Sequence, residues 1–257
     1  MAYKCGKYIL VEKEEIRNGI YSYTILCPEV AAIAKAGQFV HILAEGFTLR
    51  RPISICEINA KNGTIRIVFE ERGKGTAKIA KKNVGDTIDM IAPLGNGFSV
   101  SQDSEKKIIV VGGGIGVPPL LEAAKYSLEN TTAMLGFRSF DRVILTDDFK
   151  ALGAEVITCT DDGSYGFHGM VTVPLIEKIK SGSVDMIFAC GPTPMLRAVV
   201  SAALEHNIAC EVSLEERMGC GVGACVGCAC KIVRAGREFT LRVCKDGPVF
   251  KAEEVVL

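Results

Sequence analysis

Gly219-Cys220-Gly221-Val222-Gly223-Ala224-Cys225-Val226-Gly227-Cys228-Ala229-Cys230, followed by Cys244 sixteen positions after Cys228, is the stretch from which the rest of the chain is read. In its spacing, C-x4-C-x2-C and a distant fourth cysteine, three thiolates on one loop and a fourth from a separate segment hold a [2Fe–2S] cluster. The glycines suit that task, because a chain wrapped around a cluster needs open dihedrals and close backbone approach, so that amides can point at sulfur. Cys220, Cys225, Cys228 and Cys244 are therefore the expected iron ligands. Five thiols compete for four places. Cys230 is read as the spare, since the loop spacing is complete at Cys228; the weaker alternative exchanges Cys230 for Cys244.

A structural zinc site would repeat the CxxC pair, which a lone Cys244 does not do. Disulfides are not expected, because the N-terminus shows no signal-peptide pattern and the count of 11 cysteines is odd. The scattered Cys5, Cys27, Cys56, Cys159 and Cys210 are read as inert buried thiols. The 257 residues are 48% hydrophobic and 23% charged, a composition that can bury a core. Thirty basic and thirty acidic side chains cancel, leaving no electrostatic footprint for nucleic acid or an anionic membrane. The most apolar run, residues 108–121, is broken by four glycines and two prolines and does not read as a membrane span. A cytoplasmic protein is the expectation.

Upstream of the cysteines the chain has two textures. Residues 3–100 show short β-branched or aromatic runs, at 8–11, 20–26, 38–43, 53–55 and 64–70, separated by turns such as Asn18-Gly19, Ala36-Gly37 and Asn62-Gly63. Even spacing of this kind predicts a small antiparallel barrel, interrupted by one helix at 75–82 and resumed by a strand at 85–91. From Lys106, strands at 107–111, 132–137, 155–160 and 185–189 alternate with helices at 118–129, 141–152, 173–180 and 193–206. That alternation predicts a doubly wound parallel sheet, with a fifth strand at 208–214 delivering the chain to the cysteine loop. The predicted fold class is thus β plus α/β: an antiparallel β-barrel over 1–102, a parallel-sheet nucleotide domain over 103–209, and a small C-terminal [2Fe–2S] subdomain over 210–257, hanging from the end of the α/β domain.

Four motifs punctuate the first two modules. Gly112-Gly113-Gly114-Ile115-Gly116 lies between a buried strand and a proline-opened helix, where a backbone can approach a pyrophosphate. It departs from the strict G-x-G-x-x-G register, so a tight corner explains part of it. Cys190-Gly191-Pro192 follows the strand at 185–189, at the carboxyl end where open α/β sheets bind ligands, though a helix start explains Gly-Pro equally well. In the barrel, Arg50-Arg51-Pro52-Ile53-Ser54 places two guanidiniums at a strand, and Gly73-Lys74-Gly75-Thr76 is a second glycine turn opening a helix. Arginine suits a diphosphate because its fork donates two parallel hydrogen bonds.

Taken together, these motifs resemble the ferredoxin–NADP reductase superfamily over roughly the first 210 residues. Residues 214–225 and 243–250 narrow the resemblance to the electron-transfer subunits of class 1B dihydroorotate dehydrogenases, over the whole chain. The resemblance implies FAD in the barrel, NAD on the α/β domain, a [2Fe–2S] cluster near the C-terminus, and a separate FMN-containing catalytic subunit, with two copies of each chain in a complex serving pyrimidine (UMP) biosynthesis. It implies that Arg51, Pro52, Ile53 and Ser54 hold the flavin and its diphosphate, that Val68, Phe69 and Glu70 flank the ribityl or adenylate part, and that Gly75 and Thr76 present amides to the pyrophosphate. Gly112, Gly113, Gly114, Gly116, Cys190, Gly191 and Pro192 would take NAD. Ile53 departs from the wider superfamily, where an aromatic residue often stacks on the flavin. Arg138, Asp141 and Arg142 leave a 2′-phosphate and a ribose hydroxyl both arguable; the family implies NAD.

Nicotinamide exchanges two electrons at once and an iron–sulfur cluster one, so a flavin must stand between them. Three modules take up these residues and leave none for a (β/α)₈ barrel of about 250 residues. Electrons are therefore expected from another protein, along the path dihydroorotate, partner FMN, cluster, FAD, NAD⁺. The alternative is the small subunit of a ferredoxin–NADP reductase or sulfide-dehydrogenase-type flavin complex, in which the resemblance implies Asp at the first ligand place, where this chain has Cys220. An iron–sulfur redox sensor without turnover would not need phosphate-cradling loops in two domains.

Overall fold

Alternation between apolar and polar residues closes the first hundred residues on themselves. In the computed structural model, which describes residues 3–101, 105–127, 130–182 and 184–257, strands β1 (Lys4–Arg17), β2 (Ile20–Leu26), β3 (Phe39–Ile42), β4 (Arg51–Asn59), β5 (Thr64–Glu70) and β6 (Thr87–Leu94) form a closed barrel. Neighbours run antiparallel in the order β1-β2-β5-β4-β3-β6. Two short helices, α1 (Pro28–Ala31) and α2 (Lys74–Ala80), lie in the connections. Leu10, Tyr23, Ile25, Ile55, Ile65 and Ile67 fill the interior without solvent contact. Strand β1 extends well beyond the apolar run expected at 8–11, because its outer face carries exposed Lys and Glu residues that read as polar.

The second module is a seven-stranded sheet. Its elements are β7 (Ile108–Gly113), α3 (Pro118–Ala124), β8 (Thr131–Phe137), α4 (Thr146–Ala151), β9 (Glu155–Thr160), β10 (Phe167–His168), α5 (Thr172–Ser181), β11 (Met186–Cys190), α6 (Thr193–Glu205) and β12 (Ala209–Ser213). The order is β10-β9-β8-β7-β11-β12-β15, parallel except for the last strand, β15 (Val249–Lys251), which pairs antiparallel with β12. The helix expected over 141–152 is two pieces. Val143, Ile144 and Leu145 are all buried, and three consecutive apolar residues cannot share one face of a helix; Leu145 turns the chain at φ +61 before α4 starts. Helix α3 ends at Ala124, and residues 128–129 of the longer helix expected there lie outside the described residues, as does the expected boundary at 102/103.

The C-terminal segment does not simply hang from the α/β domain. After the cysteine loop, β13 (Ala229–Arg234) and β14 (Arg237–Arg242) make a separate hairpin, and β15 returns to the large sheet. Phe39 and Leu94 of the barrel share a core with Cys228, Ile232, Val243, Cys244 and Phe250. Asn96 clamps the same junction: its amide N–H donates to the Gly247 carbonyl at 2.6 Å and its side chain to that of Asp246 at 2.9 Å.

Barrel and sheet are joined just as firmly. Ile20, Cys56, Val68 and Phe98 from the barrel side belong to one core with Val110, Leu120 and Phe188, and the Phe98 and Phe188 rings lie 5.0 Å apart. Lys125 bridges Glu57 at 2.9 Å and Glu122 at 3.0 Å, while the buried Glu122 carboxylate accepts the Ile58 amide at 2.8 Å. Arg66 pairs with Asp148, and Arg142 with Glu70, across the same boundary.

Candidate redox site

The barrel's expected flavin motifs come together at the start of β4. Arg51 lies against Gly75 in the first turn of α2, so closely that a Cβ on Gly75 would stand 2.2 Å from Arg51 Nε. The guanidinium sits 5.0 Å above the Phe47 ring and donates through Nη1 to the Leu49 carbonyl at 2.5 Å. Thr76 Oγ1 accepts the amides of Arg72 and Gly73 at 2.9 and 3.2 Å, so its hydroxyl is occupied in shaping the turn. Arg50 is only partly exposed and its guanidinium is taken up: it is ion-paired to Asp89 at 2.7 Å and donates to the His41 carbonyl at 3.3 Å. Ile53 is buried in the barrel core, Pro52 is exposed and Ser54 is half-buried. Val68 and Phe69 are also core residues, Phe69 meeting Tyr23 edge-on at 5.1 Å, which leaves their main chain for any ligand. Glu70 is held between Arg72, at 2.6 Å, and Arg142.

Between barrel and sheet opens a cleft of about 880 Å³. Every α/β residue lining it comes from the carboxyl ends of the parallel strands or the segments that follow them: Gly113–Gly116 after β7, Phe137 and Arg138 at β8, Asp161 after β9, Gly191 and Pro192 after β11. Ile20, Glu70 and Arg72 face them from the barrel. Strand order reverses between β7 and β11, the switch point where open α/β sheets take ligands.

The glycine corner has two kinds of glycine. A Cβ on Gly116 would lie 2.4 Å from the Cys190 carbonyl oxygen, and one on Gly113 would lie 2.7 Å from Met195 Sδ. These glycines let the β7 and β11 corners touch. Gly114 is free of neighbours and is required by its φ of +54. Gly116→Ala must force two backbones apart and should cost about 1–3 kcal/mol, as overpacking does; a drop in thermal midpoint larger than that of Gly114→Ala checks it. Cys190 itself is buried, and burial raises its thiol well above the ordinary range, so it does not present a sulfur to the cleft.

The five clustered cysteines occupy different settings. Cys220 Sγ accepts amide N–H bonds from Ala224 at 3.2 Å and Cys225 at 3.4 Å. Burial works to raise this thiol, but the surrounding amides of Cys225, Val222 and Ala224 outweigh it and hold it down at about 6. Cys228 and Cys244 are both buried, with the Cys244 amide donating to Cys228 Sγ at 3.4 Å; burial and the neighbouring Cys228 push Cys244 up to about 12. Cys225 is exposed at the tip. Cys230 lies in β13 opposite Leu241, half-buried and pushed up to about 11 by burial. Gly221 and Gly223 at φ +73 and +85, and Val226 at +58, bend the loop so that amides turn inward. The thiols stand as two pairs, Cys220 with Cys225 and Cys228 with Cys244; among the described residues no three metal-binding side chains are gathered as one group. Thiolates, inward amides and a glycine-permissive backbone are the donor set a [2Fe–2S] cluster takes.

Arg242 braces this loop. Its Nη1 donates to the Gly223 carbonyl at 3.1 Å, and Asp246 holds the guanidinium at 2.9 Å. Hydrogen bonding to Arg242 depresses the Asp246 carboxyl below its ordinary value. A depressed acid contributes stability above its unfolded pKa of about 4 and loses it as pH falls through the lower folded value. The brace is thus intact at neutral pH and fails only in acid. Asp246→Asn should release iron to a chelator several-fold faster at neutral pH, followed by the decay of visible absorbance.

The sequence assigns no site role to His41, Phe39 or Asp161, and Glu215 enters only within the run 214–225. Phe39 and His41 were legible as one face of an alternating strand, but nothing local says that this face meets the cysteine loop. Asp161 and Glu215 reach the cleft only through the order of the sheet.

A barrel carrying a phosphate-type turn, a parallel sheet with a switch-point cleft and a cysteine loop on the barrel's flank define a flavin and nicotinamide reductase with an added iron–sulfur module. The solved structures agree in fold. An NADH-dependent reduced ferredoxin–NADP oxidoreductase, described for flavin-based electron bifurcation, matches 98% of this chain and 90% of its own with a TM-score of 0.84 at 31% identity. The cytochrome b5 reductase domain of Ulva prolifera nitrate reductase matches 80% and 94% with a TM-score of 0.65 at 18% identity, a likeness of fold alone. Residues 215–256 match the iron–sulfur cluster binding domain of dihydroorotate dehydrogenase B. The dihydroorotate dehydrogenase B (NAD(+)) electron transfer subunit of Geobacillus kaustophilus is 44% identical over 94% of this chain and 95% of its own, and that of Shouchella clausii 38% identical over the full length of both. The chain belongs to the family of dihydroorotate dehydrogenase B (NAD(+)) electron transfer subunits. Among the described residues no helix is long and apolar enough to cross a membrane.

Proposed function

We propose that this chain carries electrons from the FMN of a dihydroorotate-oxidising partner subunit to NAD⁺, through a [2Fe–2S] cluster at Cys220, Cys225, Cys228 and Cys244 and an FAD on the barrel. The observation that carries the reading is the β3–β4 pair. On β4 lies the flavin motif Arg51–Ser54, and on β3 Phe39, opposite Ser54, packs in one core with Cys228 and Cys244. One hairpin therefore touches both stations. When bound, FAD and the cluster supply the conversion between a two-electron hydride donor and a one-electron carrier.

The chain's own residues bind and orient. Arg51, set by Phe47 and Gly75, meets the diphosphate; the amides of Gly75 and Thr76 at the start of α2 face the same group. The glycine corner and Gly191-Pro192 take NAD in the cleft, which Arg138 and Asp161 also line. Arg142 is paired with Glu70, which leaves it less free to hold a 2′-phosphate and favours NAD. Buried Phe39 and Leu94 exclude water between cluster loop and barrel.

The partner docks on the cluster loop. Residues 224–227 are exposed, and Val226, 54% exposed at φ +58, is a branched apolar side chain held outward in a conformation such residues avoid. The complex holds two copies of each chain, in the cytoplasm. Co-expression with the FMN-bearing chain tests this: one complex with dihydroorotate-dependent NADH formation is expected, and a monodisperse monomer retaining full iron and FAD that ignores the partner contradicts it. The rival small subunit of a bifurcating reductase shares the fold at 31% identity, but Cys220 stands at the first ligand place and the dihydroorotate relatives are closer at 44%.

A further inference from the structure

His41 lies where barrel and cysteine loop meet. Val40 and Ile42 of β3 point into the barrel core, while Phe39 belongs to the core shared with the cluster module and His41 follows it on the same face. The imidazole has no solvent exposure, and neither Nδ1 nor Nε2 has a hydrogen-bond partner. The backbones of Cys220 and Arg50 are the polar groups that act on the imidazole, close to it but outside hydrogen-bond geometry. An apolar ring would avoid the cost of burying two unpaired nitrogens, so the site retains an imidazole against the stability of the barrel.

The neighbours indicate its use. Nδ1 faces Gly221, where a Cβ would stand only 2.4 Å away. Gly221, at φ +73, directly follows Cys220, whose Sγ accepts the Ala224 and Cys225 amides. On the barrel side His41 pairs with Pro52, between Arg51 and Ile53 of the flavin motif. One buried side chain, carried by the strand that pairs with the flavin strand, thus reaches the first arm of the cluster loop.

We propose that His41 is a positioning residue for the cysteine loop: wedged between β3 and Gly221, it fixes the Cys220 arm against the flavin strand and preserves the amide–sulfur hydrogen bonds that set how strongly the cluster holds an electron. The inference rests on Cys220 being an iron ligand. Amide bonds to sulfur stabilise the negative charge added on reduction, so a displaced arm makes the cluster harder to reduce.

The test uses the full chain with its cofactors and the variants His41→Phe, His41→Asn and Gly221→Ala, reading iron and FAD content, the reduced-cluster EPR spectrum and the midpoint potential. His41→Phe should retain both cofactors, change the EPR g-values and weaken electron binding about tenfold, about 59 mV downward for a one-electron couple. His41→Asn, which keeps a polar atom near the Nδ1 position and beside the Cys220 backbone where Phe has none, should recover most of the shift, and Gly221→Ala, pushing from the other side, should shift the potential in the same direction. Unchanged potential and spectrum in His41→Phe overturns the proposal. So does an equal shift in the Phe and Asn variants, or joint loss of FAD and iron in both, which would make His41 a barrel core residue. A parent protein with FAD but no iron would instead overturn the cluster assignment beneath it.

Discussion

Replacing Cys220, Cys225, Cys228 or Cys244 with Ser should abolish the [2Fe–2S] visible absorbance and the reduced-state EPR signal, whereas Cys230→Ser should leave both intact. A Ser oxygen is a harder ligand than a thiolate and does not replace it at iron. The structural settings sharpen the expectation. Cys220 is already held toward the thiolate by its amides, and Cys228 and Cys244 are buried side by side, so that two of the four positions cannot be supplied from solvent. Cys230 is fixed in the β13–β14 ladder opposite Leu241, one strand residue beyond the loop. An intact cluster in Cys244→Ser with a lost one in Cys230→Ser would exchange their roles.

Arg51→Ala should reduce FAD affinity ten- to a hundredfold. The lost charge-assisted hydrogen bonds to a diphosphate are worth about 1.5–3 kcal/mol each, and the neighbouring guanidiniums are not placed to replace them: Arg72 at the same turn is paired with Glu70 at 2.6 Å. Arg50 cannot, because it is tied to Asp89 at 2.7 Å and to the His41 carbonyl. Arg50→Ala should instead lower stability by about 1 kcal/mol, in line with a partly exposed ion pair, and leave flavin occupancy near that of the parent. Equal FAD content in all three proteins, measured after gel filtration, would remove Arg51 from the diphosphate. Gly75→Ala should resemble Arg51→Ala, because its Cβ would displace the guanidinium from 2.2 Å away.

What could be read in advance divides along physical lines. Barrel strands and the parallel sheet were legible because each carries a periodic apolar face closed by turn residues; β2, β5 and β9 fall at the expected bounds. The β13–β14 hairpin was not, since Arg237–Thr240 are exposed and a strand without a buried face leaves no alternation to read. The helix expected over 141–152 is shortened to α4, Thr146–Ala151, because burial of Val143–Leu145 overrode helical periodicity. In the site, cysteine spacing carried its own chemistry, whereas the glycine corner mixed two causes: Gly113 and Gly116 are required by contact between β7 and β11, and Gly114 by its dihedral. His41 was invisible for a different reason. A lone histidine in an apolar strand acquires meaning only when Gly221, 180 residues later in the chain, is packed against it.

In the proposed relay, cluster and flavin are separable stations on one path between a partner and NAD⁺. The most direct measurement compares the complex containing parent chain with that containing Cys244→Ser, assayed anaerobically for dihydroorotate-dependent NADH formation and for NADH-dependent reduction of an artificial acceptor. Cys244→Ser, with FAD still bound, should lose the first activity and keep the second. Undiminished dihydroorotate-dependent NADH formation without the cluster, or loss of both activities while FAD remains bound, would contradict it.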